Sequence, residues 1–472
     1  MMRVRLLANG FQIRSSFASF LHTNSLADFI SSGVGSLDDL ESHLNNCSEI
    51  PITHSLITQV IDSCTNTSTA TTSRRLLRFF SWCHSKNPSD LGADVFNRAI
   101  RAFASMGDLT AVGVAVSDLQ KAGHVISPET FAVVVDTLVK AGKEDDAVKL
   151  FRCLERKKML PNSSSLNVVQ ALCSKGHARK AEGVVYHHKD ELSKESMAIV
   201  VQRSLLHGWC VNGNAREARR VMEEMKSQGI PPSLLSYNDL LRCVCHRNLK
   251  FNPSALVSEA TDILTEMRSS GVSPTAASFN ILLSHLGSAK RVKEAYRVLY
   301  LMREGKASCA PDWVSYFLVV RVLYLTGRFV RGNRLVDQML KDGLAPGAKF
   351  YHGLIGVLCG VEKVDHALLM FDRMRKRVFG QDCGPTYDLL IEKLCRSGGF
   401  EEGTNLWDEA VQRGIALECS SDLLDPSKTK VFKPTRPLKN LQSQDYKKVG
   451  YKVSKVLVKP KRRLARKKDQ KA

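Results

Sequence analysis

The sequence predicts an all-α fold, a solenoid in which repeats of two short helices stack on one another. Three observations lead to this prediction: a small residue recurs every 34 to 42 residues, a methionine often follows it, and glycine and proline close many units. Two short antiparallel helices cannot bury their apolar faces alone, so neighbouring units have to share one continuous core. The recurring small residues are Ala147, Ala181, Ala218, Ala260, Ala295, Gly332, Ala367 and Gly403.

The second helix of many predicted units carries the small residue and a methionine seven positions apart. Seven residues make two helical turns, which places both side chains on one face. The methionines are Met225, Met267, Met302, Met339 and Met374. Several units then end alike, and Met225, for example, is followed by Gly229 and Pro232. Glycine tolerates the left-handed conformation just past a helix end and proline stops the helix soon after, so the two residues mark unit boundaries.

The first helix of several predicted units ends with an apolar run that closes on a cysteine, shortly before a turn glycine such as Gly176 or Gly213. These cysteines are Cys173, Cys210, Cys245, Cys359 and Cys395. No two of the thirteen cysteines form a C-x-x-C pair. Recurrence at one place in the repeat therefore indicates a small buried hydrophobe, not a redox or zinc site.

The positive charge of the chain is concentrated near its carboxyl end. The 472 residues carry a formal net charge of +21, of which the segment from residue 428 to the end contributes +15, with seventeen Lys or Arg against two Asp. Residues 1–92 hold seven charges of each sign, so residues 93–427 carry +6. Such a balance attracts polyanions, because each cation set against a phosphate releases a condensed counterion.

Residues 1–27 are predicted to be an organellar transit peptide. Arg3, Arg5 and Arg14 lie among Leu, Phe and Ser, and the first acidic residue is Asp28. This acid-poor, amphipathic composition is typical of imported proteins and favours the mitochondrion over the chloroplast. An ordinary frayed terminus is the alternative.

The rest of the chain is predicted to fall into three parts. Residues 28–92 form a helical N-terminal cap or degenerate repeats, residues 93–418 form about nine repeats, and residues 419–472 form a basic, disordered tail. No apolar segment reaches the length needed to span a membrane, so we expect no membrane partner.

Two segments carry a resemblance to a known family. Residues 236–241 (SYNDLL) and 278–283 (SFNILL) resemble the first helix of a pentatricopeptide repeat, and residues 207–210 and 223–233 resemble its inner turn and its end. Residues 74–83 resemble the segment that precedes the array in many plant members. The resemblance covers about residues 74–418, and the chain looks like a plant organellar protein of the P type. Tetratricopeptide repeats, which bind peptides, are the alternative.

The resemblance implies a right-handed superhelical α-solenoid that binds single-stranded RNA, about one base per repeat. Family members use the residue after the first-helix aromatic, here called the reading position, together with the last residue of the unit, here called the closing position. The pairs implied are Asn97 with Ser127, Asn238 with Thr275, Asn280 with Asp312, and Asn167 with an undefined partner. Within the family, the Asn280 and Asp312 combination prefers uracil and the Asn97 and Ser127 combination prefers cytosine.

Other units depart from this pattern, which puts long sequence-specific recognition in doubt. Their reading positions hold Ala132, Arg203, Phe317, His352 and Asp388. Apolar residues that are expected to flank the bases, or else to belong to the core, are Val95, Leu235, Ala277 and Val314.

In the basic tail, Lys461, Arg462 and Arg463 form a cluster that is expected to contact RNA phosphates, with a nuclear import signal as the alternative. The sequence lacks the His-x-Glu and Pro-Cys-x-x-Cys motifs of zinc deaminases, and it has no P-loop or Gly-x-Ser-x-Gly elbow. We therefore expect a monomer with no catalytic site, no metal and no cofactor.

Two functions follow from these features. In the first, the protein binds an organellar transcript and acts in its stability, processing or translation. In the second, it is a structural subunit or assembly factor of the mitochondrial ribosome or another organellar complex, and its repeats contact protein or folded RNA.

Overall fold

The computed structural model describes residues 26–31, 35–46, 52–65, 70–86, 91–160, 164–305, 307, 309–377 and 383–431. All regular structure within these residues is helical, which confirms the predicted all-α class. The first eleven helices are α1 (residues 26–31), α2 (Leu37–Asn46), α3 (His54–Thr65), α4 (Ala70–Lys86), α5 (Ala93–Ser105), α6 (Leu109–Lys121), α7 (Pro128–Lys140), α8 (Glu144–Arg156), α9 (Ser164–Ser174), α10 (Ala178–His187) and α11 (Lys189–Leu192). The others are α12 (Glu195–Asn212), α13 (Ala215–Ser227), α14 (Leu234–Phe251), α15 (Leu256–Ser269), α16 (Ala276–Ser288), α17 (Val292–Arg303), α18 (Trp313–Leu325), α19 (Phe329–Lys341), α20 (Ala348–Gly360), α21 (Val364–Arg375), α22 (Gly384–Ser397) and α23 (Phe400–Gln412).

From α5 onward the described helices alternate between the first and second helix of a unit, apart from the one-turn α11. The chain forms two compact units, one up to Val322 and one from Leu323. In the first, α5, α7, α9, α12, α14 and α16 each contact the next one along, and second helices such as α6, α10 and α13 pack against their own first helix. In the second, α20 contacts α21 and α22, and α22 contacts α23. This is the stacking that the sequence predicts.

The helices α3 and α4 are arranged like a repeat. They pack against each other, α3 contacts the first helix α5, and α4 contacts the second helix α6. Arg75 in α4 is only 3% exposed and donates hydrogen bonds to the carbonyl oxygens of Phe29 and Gly35, 3.0 and 3.1 Å away. Within the described residues, α3 and α4 are thus placed like the two helices of a unit that precedes α5.

The recurring small residues lie where the two helices of a unit approach most closely. Ala147, Ala181, Ala218, Ala260, Ala295 and Ala367 are completely buried. The first helix of one unit ends with Tyr324 where several others have cysteine, and its second helix has Gly332 in place of alanine. A Cβ added to Gly332 would lie only 2.3 Å from Cε1 of Tyr324. Glycine is therefore required there because its larger partner occupies the space of the methyl group.

The recurring cysteines are core residues. Cys173, Cys245, Cys359 and Cys395 are at most 4% exposed, and Cys210 is half-buried. Burial raises the pKa of the Cys173 and Cys245 thiols to about 12. A thiol that stays protonated is a poor nucleophile and a poor metal ligand, which agrees with the packing role expected from the sequence.

Turn glycines end the first helices where the backbone becomes left-handed. Gly213 and Gly398 follow α12 and α22 with φ of 81° and 92°. Two units without glycine at this place have Lys290 and Glu362, with φ of 55° and 58°. An L side chain costs about 1 kcal/mol more than glycine in this region, so these turns are the strained variants.

Candidate nucleic-acid interface

The reading positions lie close to the start of the next unit because the first helices stack side by side. Asn97, Asn238 and Asn280 are each the fifth residue of their helix, in α5, α14 and α16. The closing residues Ser127 and Thr275 are the N-caps of α7 and α16. Each asparagine is therefore placed beside the first turn of the following first helix, where backbone N–H groups lack partners within the helix.

Asn97 and Ser127 are brought together, but the Asn97 side chain is enclosed. Its Oδ1 accepts a hydrogen bond from the backbone N–H of Ser127 at 2.8 Å, and its Nδ2 donates to the carbonyl oxygens of Ala93 and Val125 at 2.8 and 3.5 Å. The residue is 4% exposed. Both ends of the amide are used within the protein, so Asn97 would have to give up internal hydrogen bonds to contact a base.

Asn280 and Asp312 form a direct pair at the start of α18. Nδ2 of Asn280 lies 3.0 and 3.2 Å from the two carboxylate oxygens of Asp312, and its Oδ1 accepts from Oγ of Ser315 at 2.6 Å. Oδ1 of Asp312 also accepts from the backbone N–H of Ser315 at 2.7 Å. Asp312 thus caps α18 and holds the asparagine at the same time.

Asn238 and Thr275 are linked through a third residue, Ser278. The backbone N–H of Thr275 donates to Oγ of Ser278 at 3.3 Å, and this hydroxyl lies 2.7 Å from Oδ1 of Asn238. Thr275 and Ser278 together form a capping box at the start of α16. Nδ2 of Asn238 has no hydrogen-bond partner within the described residues, and it is not completely buried although the residue as a whole is only 9% exposed.

Asn167 lacks such an arrangement. It lies in α9, is half-buried, and makes no hydrogen bond within the described part of the chain. The next first helix, α12, starts after Lys194, whose side chain makes no capping bond. The sequence defines no partner for Asn167, and within the described residues the structure supplies none.

Arg203 stands at a reading position beside an open cavity of about 540 Å³ between α9, α12 and the start of α14. Val200 and His207 line it from α12, and Leu235 and Asp239 from α14. Leu235 is 75% exposed, which is unusual for a leucine, while Arg203 is exposed and makes no ion pair within the described residues. The cavity therefore offers an apolar wall and an available cation.

A histidine and two charged residues modify the polarity of this cavity. Nδ1 of His207 lies 2.8 Å from Oδ2 of Asp239, and the hydrogen bond to this carboxylate raises the pKa of His207 against the opposing effect of burial. Nη1 of Arg242 lies 3.6 Å from the other oxygen of Asp239. Asp239 is shared between two cations, so the cluster becomes more positive as His207 takes up a proton.

The four predicted flanking residues differ in exposure. Val95 is completely buried, so it is a core residue, and its predicted role beside a base is wrong for this conformation. Val314 is half-buried, whereas Ala277 and Leu235 are exposed. Only the last two lie on the surface in a way that suits a flanking role.

In the second compact unit the reading positions are occupied by internal contacts. Nδ1 of His352 lies 3.1 Å from Oγ1 of Thr386. The carboxylate of Asp388 accepts hydrogen bonds from the backbone N–H groups of Glu418 and Cys419 at 3.2 and 3.1 Å. Asp388 therefore holds the segment that follows α23.

Sequence reasoning missed the hydroxyl on the third residue of the first helix. Ser or Thr stands there in α7, α14, α16, α18 and α22, as Thr130, Ser236, Ser278, Ser315 and Thr386. All five are at most 6% exposed. The signal was available, because a polar residue recurs three positions after each closing residue, as in a capping box.

Some predicted features lie outside the described residues. Lys461, Arg462 and Arg463 belong to this group, as do residues 1–25. Among the residues that are described, no helix is long and apolar enough to cross a membrane. Within the same residues, no group of three or more His, Cys, Asp or Glu is placed to hold a metal ion.

Comparison with known proteins identifies the repeat. Models described as "PPR repeat" match residues 129–159, 277–306, 350–379 and 385–415, one described as "PPR repeat family" matches residues 199–246, and one described as "Pentatricopeptide repeat domain" matches residues 257–289.

Relatives and solved structures are similar along most of the chain. A mitochondrial pentatricopeptide repeat-containing protein of Arabidopsis thaliana is 46% identical over 86% of this chain and 82% of its own length. The small ribosomal subunit protein mL104 of the same plant is 30% identical, over 65% of this chain and 59% of its own length. Among solved structures, the pentatricopeptide repeat protein PPR10, crystallised in complex with an 18-nt psaJ RNA element, aligns with 85% of this chain and 61% of its own. The sequence identity is 19% and the TM-score is 0.42.

The mitochondrial name of the first relative agrees with the destination predicted from the amino-terminal residues. Its identity and coverage, together with the repeated matches along the array, show the family. The chain belongs to the pentatricopeptide repeat family.

Proposed function

We propose that this chain is a non-catalytic, monomeric protein of the mitochondrion that binds single-stranded RNA and acts in the stability, processing or translation of a transcript. The RNA lies along the starts of the first helices in the first compact unit. The observation that carries the proposal is the cavity at Arg203, which is lined by the exposed Leu235 and by a guanidinium that makes no ion pair within the described residues. Asn238 lies in α14, one of the helices that line the cavity, and its amide nitrogen has no partner within the same residues.

The chemistry of this surface suits unpaired bases. An exposed apolar side chain such as Leu235 gives a base face something to pack against, and Arg203 can donate two parallel hydrogen bonds to a base edge or a phosphate. Asn238 and Asn280 add amide groups that can pair with the edge of an exposed base. A duplex hides these edges, so the surface favours single strands.

Binding to RNA can be tested with a variant that leaves the fold intact. Leu235→Ala in the full chain is expected to weaken binding to a pool of single-stranded RNA by about threefold to tenfold, because stacking at one base is lost. The matched control is Tyr186→Ala, since Tyr186 is 80% exposed but lies on the second helix α10. Equal effects of the two substitutions, or equal binding of the wild-type chain to duplex RNA, would contradict the proposal.

The basic tail is proposed to add affinity without sequence choice. Replacing Lys461, Arg462 and Arg463 by alanine is expected to make the plot of log K against log salt concentration less steep by about 2, since each phosphate contact on a single strand contributes about 0.7. A filter-binding series over salt concentration measures the slope. An unchanged slope would assign the cluster another role.

A second candidate function is a structural role in the mitochondrial ribosome, and the observation that favours it is the 30% identity to mL104. Crosslinking of the tagged chain to RNA in intact cells, followed by sequencing, separates the candidates. Short footprints on one or a few transcripts support the first, and footprints spread over ribosomal RNA, with sedimentation of the chain with ribosomes, support the second.

A further inference from the structure

Two neighbouring units share a contact that runs from the start of one first helix back to the reading position of the unit before. Oγ of Ser278 lies 2.7 Å from Oδ1 of Asn238, and Oγ of Ser315 lies 2.6 Å from Oδ1 of Asn280. Both serines are completely buried. The hydroxyls therefore cannot exchange these partners for water without opening the interface between units.

The direction of the Ser278 contact is fixed by the backbone. The N–H of Thr275 donates to Oγ of Ser278 at 3.3 Å, so this oxygen acts as an acceptor there and its single proton remains free to donate. Within the described part of the chain, the only other partner of the hydroxyl is Oδ1 of Asn238. The amide of Asn238 is thus held with its oxygen towards α16, which leaves its nitrogen without a partner among the same residues.

The three asparagines at reading positions share this orientation and differ in what their nitrogen meets. Each Oδ1 accepts from the start of the next first helix. The nitrogen of Asn97 is used by its own backbone neighbours, and that of Asn280 by Asp312. Of the three, only the nitrogen of Asn238 has no partner within the described residues, and it is partly accessible in a residue that is 9% exposed.

We propose that Ser278 is a positioning residue that makes Asn238 a hydrogen-bond donor towards RNA, so that this unit selects bases that place a carbonyl oxygen or ring nitrogen acceptor, and not an N–H group, at the contacted position of their edge. This inference rests on the proposed RNA binding. Without the hydroxyl, the amide can rotate by half a turn and present its oxygen equally well. Donor and acceptor edges would then be accepted alike.

The test uses the full chain and a pool of short single-stranded RNAs of randomised sequence, with sequencing of the bound fraction. Asn238→Ala first identifies the nucleotide position that this unit reads, as the position whose preference disappears. Ser278→Ala is expected to reduce the preference at that same position by about threefold to tenfold, which is the effect of one net hydrogen bond. Preferences at other positions should persist.

Thr130→Ala is the matched control. Thr130 is also the third residue of its first helix and is completely buried, but its hydroxyl contacts Oγ of Ser127 and the backbone carbonyl oxygen of Asn97, and no side-chain amide. Removal of this hydroxyl should lower the melting temperature about as much as Ser278→Ala does. It should leave the preference at the nucleotide read by Asn238 unchanged, because Thr130 makes no contact with that amide.

Two further variants keep the test decisive. Ser278→Thr retains the hydroxyl, as Thr130 and Thr386 do in other units, and should retain the preference. Ser278→Cys keeps the size of the side chain and replaces the hydroxyl by a weak donor, so it should reduce the preference in the same direction, and it replaces Ser278→Ala if that variant does not fold. Unchanged preferences in Ser278→Ala and in Ser278→Cys would overturn the role of the hydroxyl, while failure of the wild-type chain to bind the pool would overturn RNA binding itself.

Discussion

The two ends of a first helix make different kinds of contact. At its end, the helix packs through apolar contacts against the start of the second helix of its own unit, where a buried small residue recurs in many units. At its start, it meets the preceding unit through polar contacts that change from one unit to the next: a backbone N–H for Asn97, a serine for Asn238, and a serine with a carboxylate for Asn280.

This difference separates stability from recognition. The apolar contacts are similar in many units because each pair of helices has to bury a similar apolar surface. Where one residue is larger, as Tyr324 is in place of cysteine, its partner is smaller, as Gly332 is in place of alanine. The polar start varies because a capping group of any of several kinds satisfies the helix. Substitutions at the helix end should therefore change stability most, and substitutions at the start should change binding at little cost in stability.

The largest effect is expected from Met225→Ala in the apolar core between helices. Met225 is completely buried, so removal of its side chain leaves a cavity and should lower the free energy of unfolding by about 2–5 kcal/mol. Urea unfolding followed by circular dichroism measures it. Met225→Leu conserves volume and should cost less than about 1.5 kcal/mol. If Met225→Ala costs no more than the limit given for Met225→Leu, the side chain of Met225 does not contribute the stability assigned to it.

Gly332→Ala is expected to lower the free energy of unfolding by a smaller amount, about 1–3 kcal/mol, because the added methyl group would overlap the ring of Tyr324. Tyr324→Cys introduces the residue found at this place in several other units and should restore most of the loss in the double variant. Gly356→Ala is the control in the same compact unit, since a Cβ there has only an ordinary contact with Leu389 at 3.8 Å, and it should not destabilise the protein. If the losses of stability from Gly332→Ala and Tyr324→Cys simply add in the double variant, the size of residue 332 does not depend on that of residue 324.

At the polar start, Asp312→Ala is expected to cost about 0.5–2 kcal/mol, as for the loss of a helix cap. Its main effect should fall on recognition, because the nitrogen of Asn280 loses its carboxylate partner. The measurements are a melting curve and the base preference at the nucleotide read by Asn280. If the affinity falls equally for every base at that nucleotide, the pair acts in packing alone.

The smallest effect is a pH dependence from His207 and Asp239. The pKa of His207 is raised in the folded protein, so protonation of this histidine stabilises the fold. This stabilisation is fully present below the pKa of the unfolded chain, 6.5, and is lost as the pH rises through the pKa of the folded protein. The side chain of His207 is 47% exposed, and the positive charge of Arg242 opposes its protonation. The loss of stability should therefore not exceed about 0.5 kcal/mol. Melting temperatures at about pH 6 and pH 8 should differ slightly in the wild type and not in Asp239→Asn. A difference that persists in this variant would place its origin elsewhere.

The all-α fold and the order of the helices could be predicted because their signals recur. Each small residue is weak evidence alone, but the series fixes a period, and Gly229 with Pro232 marks a boundary for a local backbone reason. The reading and closing positions could be placed by resemblance, and the pair of Asn280 and Asp312 assigned in this way is in direct contact although the two residues are far apart in sequence.

The details that the sequence could not provide depend on contacts between distant segments. Val95 is the third residue of α5 and Leu235 is the second residue of α14, so the two are one position apart in the repeat; the first is completely buried and the second is 75% exposed. Arg75 holds carbonyl oxygens of residues about forty positions earlier, which no local pattern predicts. The partners of a polar side chain are decided by such tertiary neighbours, whereas the apolar period is decided by the helix itself.

The capping of α16 by Thr275 and Ser278 has a consequence for any attempt to exchange repeats between proteins. A segment cut at the closing residue would leave Asn238 behind and take away the hydroxyl that orients it. A graft meant to transfer the behaviour of one repeat should therefore extend three residues into the following helix, and libraries of chimeras joined at Thr275 and at Ser278 should differ even though their repeats are nominally the same.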